Sequence, residues 1–219
     1  LHYRIFYFKL LYTKFKEIII KLYEFHLPIP LIYWYNNHVN FYNKTVGGKI
    51  MLSEKLLKEI NEQITYELYS SHLYLAMASY CYSIDLDGFA NFFMVQAEEE
   101  RFHAMKFFNF VNEMDEKVEI KGLETPPSDY DNIEDVYSET LQHEKFVTSR
   151  IYKLMDIAME EREHATISFL KWFIDEQVEE EATVKGILQK LKRANKDVSI
   201  IYSIDSEMAQ RVFTPPTNA

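Results

Sequence analysis

Cysteine is nearly missing from this chain: its 219 residues contain one, Cys81. A lone thiol excludes an internal disulfide framework, and it excludes rubredoxin-type and zinc-ribbon sites, which need several thiolates. It fits a reducing compartment, and a cytoplasmic location is expected. Glycine and proline are scarce as well, at five and six. With so few residues for tight turns, the chain reads as long helices rather than a many-stranded sandwich. The apolar stretch 18–35 is broken by Lys21, Glu24, His26, Pro28 and Pro30, which makes it a poor transmembrane helix. It also lacks a small-residue cleavage site after a compact apolar run, so it is a poor signal peptide.

What is present is apolar bulk and acid. Apolar residues make up 47 % of the chain, enough for one sizeable core. The net charge of −10 is unevenly spread: residues 1–50 hold seven of the 24 Lys/Arg and two of the 34 Asp/Glu, a net of +5 against −15 for the rest. A strongly acidic body argues against nucleic acid as a partner and suits multivalent cations, although an ordinary acidic surface gives the same number.

Residues 1–50 differ from the remainder. They are crowded with Tyr, Phe, Ile, Lys and Asn, and Met appears first at position 51, directly before a clean helix start. Val46-Gly47-Gly48-Lys49 can be encoded by a stretch containing AGGAGG, a bacterial ribosome-binding sequence, at a suitable distance from the Met51 codon. Residues 1–50 are therefore expected to be translated leader DNA outside the native fold, with a membrane-leaning or targeting extension as the alternative.

From Ser53 onward apolar residues recur at steps of three and four, the helical period. Helices are expected over 53–83, 89–114, 133–161 and 165–194, with a short fifth over 203–212. Asp85-Leu-Asp-Gly88 supplies turn chemistry, and Pro126-Pro127 keeps the connection 116–131 irregular. Extended chain covers roughly 3.3 Å per residue, so such a connection can cross a helix of about 38 Å. Two hairpins joined by one long crossover make an all-α four-helix bundle running up, down, down, up.

Each inward stripe carries an acid near its middle. The first reads Ile60, Ile64, Glu67, Ser71, Tyr74, Ala78, and the second Phe89, Phe93, Gln96, Glu100, His103, Phe107, Phe110. The third reads Ile133, Tyr137, Thr140, Glu144, Val147, Ile151, Leu154, and the fourth Leu170, Phe173, Gln177, Glu180, Val184, Ile187, Leu191. Burying an unpaired carboxylate costs several kcal/mol, and the stripes offer no Lys or Arg at these levels. A metal cluster meets that need, and oxygen ligands with one imidazole suit Fe or Mn. Glu100 and His103, at i and i+3, can reach one metal. Adjacent apolar residues permit a shift of each stripe by one position, and Glu98-Glu99 and Glu179-Glu181 fit equally as solvated face charges.

Residues 51–219 resemble the prokaryotic non-haem ferritins. The resemblance rests on Asn61-Glu-Gln-Ile-Thr-Tyr-Glu-Leu-Tyr-Ser-Ser71, Gln96-Ala-Glu-Glu-Glu-Arg-Phe-His103, His143-Glu144, His164-Ala-Thr and Phe169-Leu-Lys-Trp-Phe-Ile-Asp-Glu-Gln-Val-Glu-Glu-Glu181. It implies that Glu67, Glu100 and His103 hold one iron, and that bridging Glu100 with Glu144 and Glu180 holds a second. It places Gln177 beside the centre and makes Tyr74 a nearby electron or hydrogen-bond donor. It also implies a looser third site from Glu99, Glu176 and Glu179, with Glu180 shared. An acceptor behind His103 is expected to orient its ring.

The departures narrow the family. A haem-binding bacterioferritin would carry a second Glu-x-x-His where this chain has Gln177 and Glu180, and a methionine near Phe102; no haem is expected. The implied activity is a ferroxidase that oxidises Fe(II) with O2 or H2O2 and stores a ferric oxyhydroxide mineral in a hollow homo-oligomeric cage of 24 subunits. The alternative is a non-storage di-iron oxidase or peroxidase of rubrerythrin-like type, against which the missing cysteines weigh. No nucleic-acid or membrane partner is expected.

Overall fold

The computed structural model describes residues 52–215, within which the chain forms five helices and no strands. They are α1 (Glu54–Ser83), α2 (Asp87–Glu113), α3 (Ile133–Glu161), α4 (His164–Ala194) and α5 (Val198–Met208). The expectation of a leader over residues 1–50 lies outside the described residues.

Local chemistry sets the ends of these helices. Ser53 caps α1 by accepting from the Leu56 amide at 3.0 Å, and Asn132 caps α3 by accepting from the amides of Glu134 and Asp135. Arg162 ends α3 in the left-handed conformation, and Glu163 at once caps α4 through the Thr166 amide at 2.9 Å. Two residues thus separate α3 from α4, and Ile84 to Leu86, with Asp85 at φ 58°, separate α1 from α2. Gly88 was expected to belong to that turn, but it lies inside α2.

Short turns make each pair antiparallel. The Ser53 hydroxyl donates to Glu161 Oε1 at 2.8 Å, and Arg150 pairs with Glu59 at 2.9 Å, so the start of α1 meets the end of α3. On the other side Phe107 of α2 stacks on Phe173 of α4 with ring centroids 4.2 Å apart. The order is up, down, down, up, as the sequence implies. The crossover is clamped to α1 by buried Asn61, whose Nδ2 donates to the Lys117 carbonyl and whose Oδ1 accepts from the Glu119 amide at 2.8 Å.

The fifth helix begins earlier than the sequence pattern suggested. Asn195 and Lys196 take φ of 47° and 66°, which reverses the chain, and Asp197 then caps α5 at the amides of Ser199 and Ile200. This helix docks on the N-terminal end of α2. Leu86 provides no side-chain cap there, and Asp205 of α5 substitutes by accepting from the Phe89 amide at 2.8 Å. The approach is so close that a Cβ on Gly88 would lie 1.7 Å from the Asp205 carbonyl oxygen. Among the described residues no helix is long and apolar enough to cross a membrane.

Candidate metal centre

Every residue of the four expected inward stripes is buried. The apolar members fall into two clusters, one at each end of the bundle. Ile60, Ile64, Phe107, Ile151 and Leu170 belong to one, and Phe89, Phe93, Tyr137 and Val184 to the other. Between them lies a polar layer to which each long helix contributes one carboxylate: Glu67, Glu100, Glu144 and Glu180. None is more than 3 % exposed, so water compensates none of them. Among the described residues no Lys or Arg forms an ion pair with any of the four.

Ligand atoms of Glu67, Glu100 and His103 lie within 4.8 Å of one another. His103 Nδ1 stands 3.5 Å from Glu100 Oε2. Its Nε2, Glu100 Oε2 and Glu67 Oε2 are buried without hydrogen-bond partners. The ring is packed among aromatics, with Trp172 and Phe173 5.3 and 5.8 Å away at steep angles.

The remaining acids are held by neutral donors. Gln63 Nε2 donates to Glu67 Oε1 at 3.0 Å and Gln96 Nε2 to Glu180 Oε2 at 3.0 Å. The Tyr74 hydroxyl donates to Glu144 Oε1, and Gln177 Nε2 donates to Glu144 Oε2 at 3.2 Å. Amides can orient a carboxylate but cannot cancel its charge. Glu100 Oε2 has no such donor.

Burial is the main reason that all four acids hold protons above the usual carboxylate range. Mutual repulsion adds to it: Glu100 feels Glu144 and Glu180, and Glu67 feels Glu100. Glu180 is pushed up to about 8, by burial and then by Glu144. The Tyr74 and Gln177 hydrogen bonds work the other way at Glu144, favouring its ionised form. A layer of this kind can exchange those protons for a multivalent cation.

A second group adjoins the first. Ligand atoms of Glu99, His103 and Glu176 also lie within 4.8 Å of one another, so His103 belongs to both groups. Glu99 and Glu176 are half-buried, whereas Glu179, expected beside them, is exposed and stands outside the close group. Glu144 and Glu180 likewise join no close trio with His103 among the described residues.

Sequence reasoning assigned no role to Gln63, Ser70 or His143. Gln63 lies one helical turn before Glu67 on the same face, a spacing that could have flagged it. Half-buried His143, whose basicity falls to about 4, meets Ser70 Oγ at 2.7 Å.

Comparison with known proteins adds an independent line. A profile of the ferritin-like domain family matches residues 57–194. A bacterial non-heme ferritin of Staphylococcus haemolyticus is 41 % identical over 163 residues, covering 74 % of this chain and 98 % of the relative. Its counterpart from Staphylococcus aureus shows the same identity and coverage. Among solved structures, an open pore ferritin from the archaeon Archaeoglobus fulgidus aligns with a TM-score of 0.73 and 43 % identity, over 74 % of this chain and 98 % of its own.

Proposed function

The chain belongs to the ferritin family, and from that premise we propose that it is an iron store that oxidises its own cargo. Fe(II) is the substrate. Glu67, Glu100 and His103 bind one ion, and Glu100, Glu144 and Glu180 a second. The pair passes two electrons to O2, which takes up two protons to leave as hydrogen peroxide. The ferric products then hydrolyse to oxyhydroxide and release protons. H2O2 is an alternative oxidant.

The observation that carries this reading is the uncompensated buried layer: four carboxylates on four helices, with the ligand atoms of Glu67, Glu100 and His103 within 4.8 Å. Hard oxygen donors bind Fe(III) more strongly than Fe(II), which favours oxidation in place. Gln63, Gln96, Gln177 and Tyr74 hold the acids in orientation while leaving their charge for the ion. Tyr74 is also within reach to supply an electron.

Storage further requires a closed container, and a homo-oligomeric cage of 24 subunits in the cytoplasm completes the proposal. Leu75, Tyr82, Phe146 and Tyr152 are exposed on α1 and α3, as apolar surface awaiting subunit contacts would be. Residues 51–219 form the functional domain, and 1–50 are a leader outside it. The rubrerythrin-like alternative has little to build on, since the lone cysteine, Cys81, is buried.

Stepwise addition of Fe(II) in air to the full chain tests the store. Ferric iron should stay in solution and comigrate with the protein far beyond the first equivalents. Precipitation of everything past those equivalents would support the small di-iron enzyme instead.

A further inference from the structure

Arg211, just beyond α5, places its guanidinium Nη2 3.0 Å from Glu99 Oε2. The position is built. Asn91 Nδ2 donates to the carbonyls of Arg211 and Met208 at 3.0 and 3.1 Å, fixing the backbone. The guanidinium lies 4.5 Å over the Phe92 ring, and two residues further on Phe213 packs against Phe102. The Arg211 and Glu99 side chains are only 26 % and 16 % exposed, so water and salt screen the pair weakly. Glu99 is also one corner of the group it forms with Glu176 and buried His103, whose Nε2 has no partner.

These facts conflict for any cation that approaches Glu99. It must either displace the guanidinium or accept a like charge a few ångströms away. Glu176 meets no comparable block: its basic neighbour Lys106 lies 4.2 Å over the Trp172 ring. We infer that Arg211 is a tethered counter-cation of the Glu99–His103–Glu176 group, competing with a divalent ion for Glu99 and keeping that group the last to fill. The inference rests on the proposed reading of His103 and its neighbours as a cation centre.

The test is anaerobic titration of the chelator-stripped full chain with Co(II), followed by calorimetry and by visible d–d absorbance. The wild type should bind two equivalents tightly and a third weakly. Arg211→Gln should tighten the third by about tenfold or more and change the first two, through the weaker field of Arg211 at Glu180, by far less. Arg211→Lys, which keeps the charge, should stay near wild type, and in a Glu99→Gln background Arg211→Gln should have no effect. Asn91→Ala, which frees the segment's backbone without changing any charge, should shift the third equivalent in the same direction by several-fold. It serves as the test should Arg211→Gln fail to fold.

A third equivalent that stays within about twofold of wild type, or an Arg211 effect that survives Glu99→Gln, overturns the inference alone. Absence of the two tight equivalents from the wild type overturns the reading of the centre, and the inference with it.

Discussion

Gln177 on α4 holds Glu144 on α3 at two points, with its Nε2 3.2 Å from the carboxylate Oε2 and 3.3 Å from the carbonyl oxygen. Tyr74 on α1 donates to the other carboxylate oxygen, so three helices converge on one acid. Both donors favour the ionised form against the effect of burial.

Removing either donor should therefore make Glu144 harder to deprotonate and its site harder to fill. A hydrogen bond to a charged group contributes about 1.5–3 kcal/mol, so Gln177→Leu or Tyr74→Phe should slow Fe(II) oxidation by roughly tenfold or more near pH 6.5. The deficit should shrink toward pH 8, where ionisation is easier. Initial rates at the two pH values check this, and an equal loss at both would show that the donors act only on packing.

Stability of the metal-stripped protein should fall as pH rises. Glu180 has a folded value of about 8 against an ordinary 4.5, and Glu67, Glu100 and Glu144 are raised too. The folded state then binds more protons than the unfolded one, so the stabilisation is complete below 4.5 and is lost as pH climbs through 8. His143, lowered to about 4 from 6.5, has the opposite sign, but its contribution is already complete above 6.5. Between pH 6.5 and 8 the carboxylates decide the slope. Thermal melts in chelator should show Tm falling across that window, and excess Co(II) should abolish or reverse the fall.

Gly88 should not tolerate a side chain. A Cβ there would lie 1.7 Å from the backbone oxygen of Asp205, which no rotamer change can relieve. Gly88→Ala should undock α5, with a loss of about 1–3 kcal/mol, typical of overpacking. Urea unfolding would measure the loss. Rapid proteolytic cleavage around 195–197, with the four long helices intact, would locate it.

The four long helices and the carboxylate layer were legible in the sequence because both are written locally. A stripe at steps of three and four, with an acid at its middle, identifies its own face, and Ser53 and Asn132 cap the helices they precede. What escaped depends on partners distant in the chain. Gly88 reads as turn chemistry until Asp205 is brought against it, 117 positions away. Asn61 reads as an ordinary helical polar residue until the crossover lies on it. Likewise Glu99 and Glu179 are indistinguishable as face charges until packing half-buries one, exposes the other and brings Arg211 to the first.

The central claim is that Fe(II) is oxidised as a pair within this layer, with Glu100 common to both ions. Its most direct test is stopped-flow mixing of anaerobically loaded full chain with O2, following ferric absorbance at rising Fe(II) per chain, for wild type and Glu100→Gln. The account predicts a fast phase whose amplitude saturates near two irons per chain in the wild type and vanishes in the variant. A fast phase that keeps growing past that ratio, or one that survives Glu100→Gln at full amplitude, would contradict it.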